Sequence, residues 1–135
     1  VKASEILPGA PVRLSGDLRL AEDLVAVHGD AEPVVVPVAA AAGRLGPVYR
    51  RVPGGDPVVP TGRVLVRFAG DADRATILRA AGYEVAGTLG YAPDAVWARA
   101  SDGGVLGALS HLDELAAAKD VVHAEPELLG ERAWR

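Results

Sequence analysis

Arg63-Val64-Leu65-Val66-Arg67-Phe68-Ala69-Gly70-Asp71 is the stretch from which the rest of the chain can be read. Val64, Val66 and Phe68 alternate with Arg63, Leu65 and Arg67. A period of two belongs to a strand with one buried face. Gly70 ends it, and Asp71 is a good N-cap for a helix running to about residue 81, with Gly82 as its C-terminal stop. Ala75, Leu78 and Ala81 or Gly82 fall at helical spacing and form the expected inner face.

Downstream, the pattern repeats in altered order. Residues 83–89 read as a second strand, Gly90-Tyr91-Ala92-Pro93-Asp94 as a turn, and residues 95–100 as a third strand. Gly103-Gly104 precedes a second helix from 105 to about 117, with Val105, Leu109, Leu112 and Ala116 on one face. Residues 119–124 complete the set as a fourth strand, which Pro126 is expected to stop. Strand, helix, strand, strand, helix, strand is the split βαβ order. The predicted class is therefore α+β and ferredoxin-like, two helices on one face of a four-stranded antiparallel sheet. The other face must then be polar or covered by something else.

Upstream, three prolines and a glycine pair crowd Pro53-Gly54-Gly55-Asp56-Pro57-Val58-Val59-Pro60-Thr61-Gly62, which reads as a loop. Before it, residues 23–28 and 34–38 read as two strands of a hairpin joined through Gly29-Asp30-Ala31-Glu32-Pro33. Pro37 puts the second strand at a sheet edge or ends it there. Residues 48–52 add a third short strand. The expected organisation is a β-rich extension with a Pro/Gly linker over 1–60, the ferredoxin-like domain over 61–127, and a C-terminal tail over 128–135.

Composition narrows the function classes. Half of the residues are apolar and 24% are charged, as in ordinary globular domains, while aromatics reach only 4%. The core must therefore be built from Val, Leu and Ala. A net charge of −4, with Arg50-Arg51 the longest basic run, argues against a nucleic-acid partner. No cysteine is present, which excludes disulfides and thiolate chemistry. The longest apolar run is five residues, 38–42, too short to span a membrane. The chain starts at Val1 and contains no Met, so its start reads as a processed boundary.

No catalytic constellation emerges. His28, His111 and His123 fall in separate elements without metal-ligand spacing, and each reads as an exposed side chain titrating near its ordinary value. Ser4, Ser15, Ser101 and Ser110 lack the nucleophile-elbow pattern, and Ser110-His111 are neighbours on a helix that point apart. Gly54-Gly55 and Gly103-Gly104 lack the spacing and lysine of a phosphate loop. Asp113-Glu114 reads as a solvated helix face. No metal, cofactor or catalytic residue is expected of this chain.

Three segments carry a resemblance. Gly62-Arg63-Val64-Leu65-Val66-Arg67-Phe68, Leu89-Gly90-Tyr91-Ala92-Pro93-Asp94-Ala95 and Val121-Val122-His123-Ala124-Glu125-Pro126-Glu127 are similar, in order and spacing, to the pro-regions of subtilisin-like serine proteases. The likeness covers residues 61–127. It implies a domain that helps its protease fold and then inhibits it, with catalysis residing in a protease domain and the precursor exported. The bare sheet face would dock on two helices of that partner. Glu125 and Glu127 would meet the unpaired amides at their N-termini, and Trp97 would suit the docking face unless it lies in the core. Leu128-Leu129-Gly130-Glu131-Arg132-Ala133-Trp134-Arg135 would then enter the substrate cleft, with Arg135 next to the cleaved bond if it is the natural end. No nucleic acid, membrane or cofactor enters this picture. The competing expectations are a ferredoxin-like regulatory or homodimerising binding module, a stand-alone subtilase inhibitor, and a small ferredoxin-like enzyme.

Overall fold

The computed structural model describes residues 1–14, 17–29, 32–52 and 55–130. They form a mixed α and β structure with antiparallel sheets and short helices. The chain divides into two compact units, one of Val1–Thr61 with the residues from Leu128 onward, the other of Gly62–Glu127.

The first unit carries α1 (Ala3–Ile6), β1 (Arg13–Leu14), β2 (Leu18–Leu20), β3 (Leu24–His28), β4 (Val34–Pro37), a 3₁₀ turn (Val38–Ala40), β5 (Arg44–Gly46), β6 (Tyr49–Arg51) and the start of β7 (Pro57–Phe68). β3 pairs with β4, Val25 facing Val36 and Ala26 facing Val35, which is the hairpin the sequence suggests. Pro37 is the last residue of that outer strand, where its missing N–H leaves no ladder bond unmade. β5 pairs with the other side of β3, and β1, β2, β6 and β7 form a separate run of neighbours. Ala21, Ala26, Val48 and Val59 make a small core, against which Leu24 and Val35 pack. Tyr49 is fully buried, and its hydroxyl donates to the Pro11 carbonyl at 2.7 Å.

The second unit holds the rest of β7, then α2 (Arg74–Ala80), β8 (Tyr83–Thr88), β9 (Ala95–Ala100), α3 (Val105–Ser110), α4 (Leu112–Ala116) and β10 (Val121–Leu129) as far as Glu127. β9 lies between β8 and β7, and β10 also pairs with β7. Val64 opposes Ala98 and Val66 opposes Val96, and all four are buried on one face. Leu78 of α2 and Leu109, Leu112 and Leu115 of α3 and α4 are buried too. The buried Tyr83 hydroxyl donates to the Ala108 carbonyl, tying β8 to α3.

Several expectations are corrected. The loop assigned to 53–62 is strand from Pro57 onward. Pro60 falls between the β6 ladder, which ends at Val58, and the β9 ladder, which begins at Arg63, so its lack of a donor breaks neither register. The cap of α2 is Asp73, whose carboxylate accepts from the Thr76 amide at 3.3 Å and the Thr76 hydroxyl at 2.9 Å. Residues before it turn first, through Ala72 N–H donating to the Ala69 carbonyl. Ala75 is exposed, whereas Leu78 and Ala81 are buried. The single helix of 105–117 is broken at His111, whose ψ of 4° leaves the helical region. The break exposes Ala116 and buries Leu115. Finally, β10 runs through Pro126 to Leu129, with β7 as its neighbour, so Pro126 does not stop the strand.

Candidate functional site: the solvent-facing sheet surface

Strand alternation sorts the second unit's sheet into two faces. Val64, Val66 and Phe68 of β7 share the buried one, so Arg63, Leu65 and Arg67 point to the other. Cross-strand pairs extend that outer face: Arg63 opposes Arg99, Leu65 opposes Trp97, and Arg67 opposes Ala95. On β8, Glu84 opposes Arg99 and Gly87 opposes Trp97. The ladder slips between Val85 and Gly87, and this bulge is what brings a glycine rather than Ala86 opposite the indole.

Trp97 thus lies on the outer face, half-buried, and not in the core under the helices. The Arg63 guanidinium stacks over its ring at 4.3 Å from the centroid, a cation–π contact worth about 0.5–1 kcal/mol at such a position. On the opposite side, a Cβ added at Gly87 would meet nothing within 4 Å, so open space adjoins the indole. The tryptophan is covered by an arginine on one side and left open toward Gly87 on the other.

Ion pairs ring this centre. Arg63 donates to both Glu127 oxygens, Nε to Oε1 at 3.0 Å and Nη2 to Oε2 at 2.7 Å. These bonds with Glu127 are the main cause raising the Arg63 pKa above its already high ordinary value. Arg99 donates to Glu84 at 2.8 Å, and Arg67 to Asp94 at 3.0 and 3.1 Å. Because Glu127 meets Arg63 on this face, alternation along β10 puts Glu125 and His123 there as well, and His123 Nε2 lies 3.2 Å from Glu125 Oε2. Each exposed pair adds little to stability, roughly 0–1 kcal/mol. Their effect is to give a surface with an aromatic centre and a charged rim.

The site residues read from the sequence therefore converge in part. Trp97, Glu125 and Glu127 share one face of one sheet. Glu127 is engaged by Arg63, and Glu125 is the more exposed of the two acids. Leu128 and Leu129 continue β10 and Gly130 follows it, while Glu131, Arg132, Ala133, Trp134 and Arg135 lie outside the described residues, as do Ser15, Asp30, Ala31, Pro53 and Gly54. Sequence reasoning missed Gly87, Arg63 and Leu65. The strand period pointed Arg63 and Leu65 outward, but only the bulge in β8 reveals the slot at Gly87.

The remaining polar groups do not assemble. Ser4 Oγ donates to Glu22 at 2.8 Å, and Ser110 Oγ donates to the Gly107 carbonyl at 3.2 Å. His111 faces Glu114 at 3.6 Å rather than Ser110. Among the described residues no three His, Asp or Glu side chains gather as a metal site requires, and no helix is long and apolar enough to cross a membrane. His28 departs from its expected exposure. Its ring lies against Gly46, its Nε2 is shut from solvent without a hydrogen-bond partner, and burial, with help from the Arg44 charge, lowers its pKa.

No known protein family matches this chain, and neither a curated protein nor a solved structure matches it.

Proposed function

We propose that Gly62–Glu127 is a ferredoxin-like pro-domain of a subtilisin-like serine protease, which docks on the catalytic domain through the Trp97 face. The order strand, helix, strand, strand, broken helix, strand supports the fold, as does the neighbour order β10, β7, β9, β8. The observation that carries the docking reading is the half-buried Trp97 beside the open slot at Gly87, inside a ring of ion pairs. Aromatic anchors inside polar rims are what protein interfaces use for affinity.

In this reading Glu125 is the acid best disposed toward the helix N-termini of the partner, since Glu127 presents itself already paired with Arg63. Because Leu128 and Leu129 belong to β10, the part of the tail proposed to enter the cleft begins at Gly130. Sheet docking raises the local concentration of that weakly binding tail. Binding to the folded protease also stabilises it by mass action, the thermodynamic basis of chaperone action. Catalysis then belongs to the protease domain.

The charges of this face also complement themselves, with Arg63, Arg67 and Arg99 set beside Glu127, Asp94 and Glu84, and this favours a homodimer as the second reading. Gly87→Leu separates the two. Its side chain enters open space at an ordinary φ, so the fold stands while the slot is filled. Inhibition of a subtilisin-like protease weakened by about tenfold or more, with unchanged sedimentation, supports the pro-domain. A monomer produced from a dimer, with no effect on any protease, supports the homodimer instead.

A further inference from the structure

In the first unit, Arg13 of β1 lies directly opposite Arg19 of β2, and Arg19 lies directly opposite Arg50 of β6. Three arginines therefore stand in a row on one face of three neighbouring strands, about 5 Å apart at the backbone. Like charges directly opposed on a sheet are destabilising. One of the three is answered within the chain: Arg50 Nη1 donates to Asp23 Oδ1 at 2.9 Å. Asp17 is taken by Arg51, and Glu22 by the amide and hydroxyl of Ser4. Arg13 and Arg19 have no acidic partner among the described residues. Arg19 is the more telling, because its Nη1 is shut from solvent with no acceptor while the residue as a whole stays half-exposed. A guanidinium nitrogen shut from solvent without an acceptor is a liability.

We propose that Arg13 and Arg19 form an oxyanion site for a doubly charged phosphate group. The two charges without an acidic partner among the described residues match a phosphate dianion, which carries about −1.5 to −2 at neutral pH, and they come from residues directly opposed on neighbouring strands, of a type whose paired N–H donors suit phosphate oxygens. A nucleic-acid strand is a poor fit, because it needs a track of cations and this chain carries a net −4. The site belongs to the first unit and Trp97 to the second, and it does not depend on the pro-domain reading.

The test is a titration of the intact chain with inorganic phosphate at pH 7.5, sodium chloride holding ionic strength constant. Saturable shifts of the Arg13 and Arg19 Nε–Hε resonances are expected, with a rise of about 3 °C in Tm at tenfold excess over Kd. Arg13→Met, at an exposed position, weakens binding by about tenfold. Arg19→Met abolishes it and leaves Tm in chloride equal or higher. A second arm uses a phosphoserine tripeptide: tighter binding than phosphate assigns the site to a phosphorylated partner, equal or weaker binding to free phosphate. No saturable shift, or a Tm gain that persists in the double variant, overturns the proposal.

Discussion

His28 and the two buried tyrosines are the residues at which local chemistry most directly sets stability. The His28 pKa is lowered by burial, so the unfolded chain holds a proton there that the folded chain resists. That contribution is present above its ordinary value of 6.5 and is lost as pH falls below it. His28→Phe fills the same space over Gly46 without an orphan nitrogen. The variant is expected to match or exceed the parent by up to about 1 kcal/mol at pH 7 and to lose less stability at pH 5, measured by urea unfolding. Tyr49 and Tyr83 act at the other end of the scale. Burial raises both hydroxyl pKa values, and the nearby Glu114 and Asp113 add to the effect at Tyr83. A raised folded-state pKa makes the contribution full below the ordinary value of 10 and progressively lost above it. Stability should therefore fall as pH rises above about 10, and Tyr83→Phe should flatten that fall while costing about 1–2 kcal/mol at pH 7, because the Ala108 carbonyl loses its donor.

β7 is the element on which both units are built, and it changes partners along its length. Val58 faces Tyr49 of β6, whereas Arg63 to Arg67 face β9. Gly62, between the two ladders, has φ of +97°, and a Cβ there would meet Val105 Cγ2 at 3.3 Å. Gly62→Ala is expected to destabilise by about 1–2 kcal/mol, combining left-handed backbone strain with a push on α3, readable as a lowered urea midpoint with unchanged m-value. This strand also marks where the sequence was hard to read. Its alternating half, from Arg63 to Phe68, was plain, and so was β9, whose limits at Ala95 and Ala100 follow from the turn before it. Its first half was hidden because Pro57 and Pro60 look like breakers unless one knows which side of the strand lacks a neighbour. The same blindness cut β10 short at Pro126. β1, β2 and β5 span two or three residues each, too few to display a period. His111 gave no warning as a helix break, since nothing in its side chain demands one.

At the scale of the molecule, the mixed α and β class with antiparallel sheets was legible in the sequence, but what the outer face of the second unit's sheet carries was not. Trp97 was undecided between core and surface, and the register opposite Leu65 decides for the outer face. The slot at Gly87 and the pairing of Glu127 with Arg63 depend on a bulge and a cross-strand contact that no linear pattern displays. Together they define one aromatic-centred surface next to the strand that leads into the C-terminal tail. The most direct test is inhibition kinetics against a panel of subtilisin-like proteases, using the intact chain and a version ending at Gly130. Slow, tight inhibition of at least one protease by the intact chain is expected, weakened by about a hundredfold when residues 131–135 are removed. No inhibition of any protease, with the chain sedimenting as a stable homodimer, would contradict it.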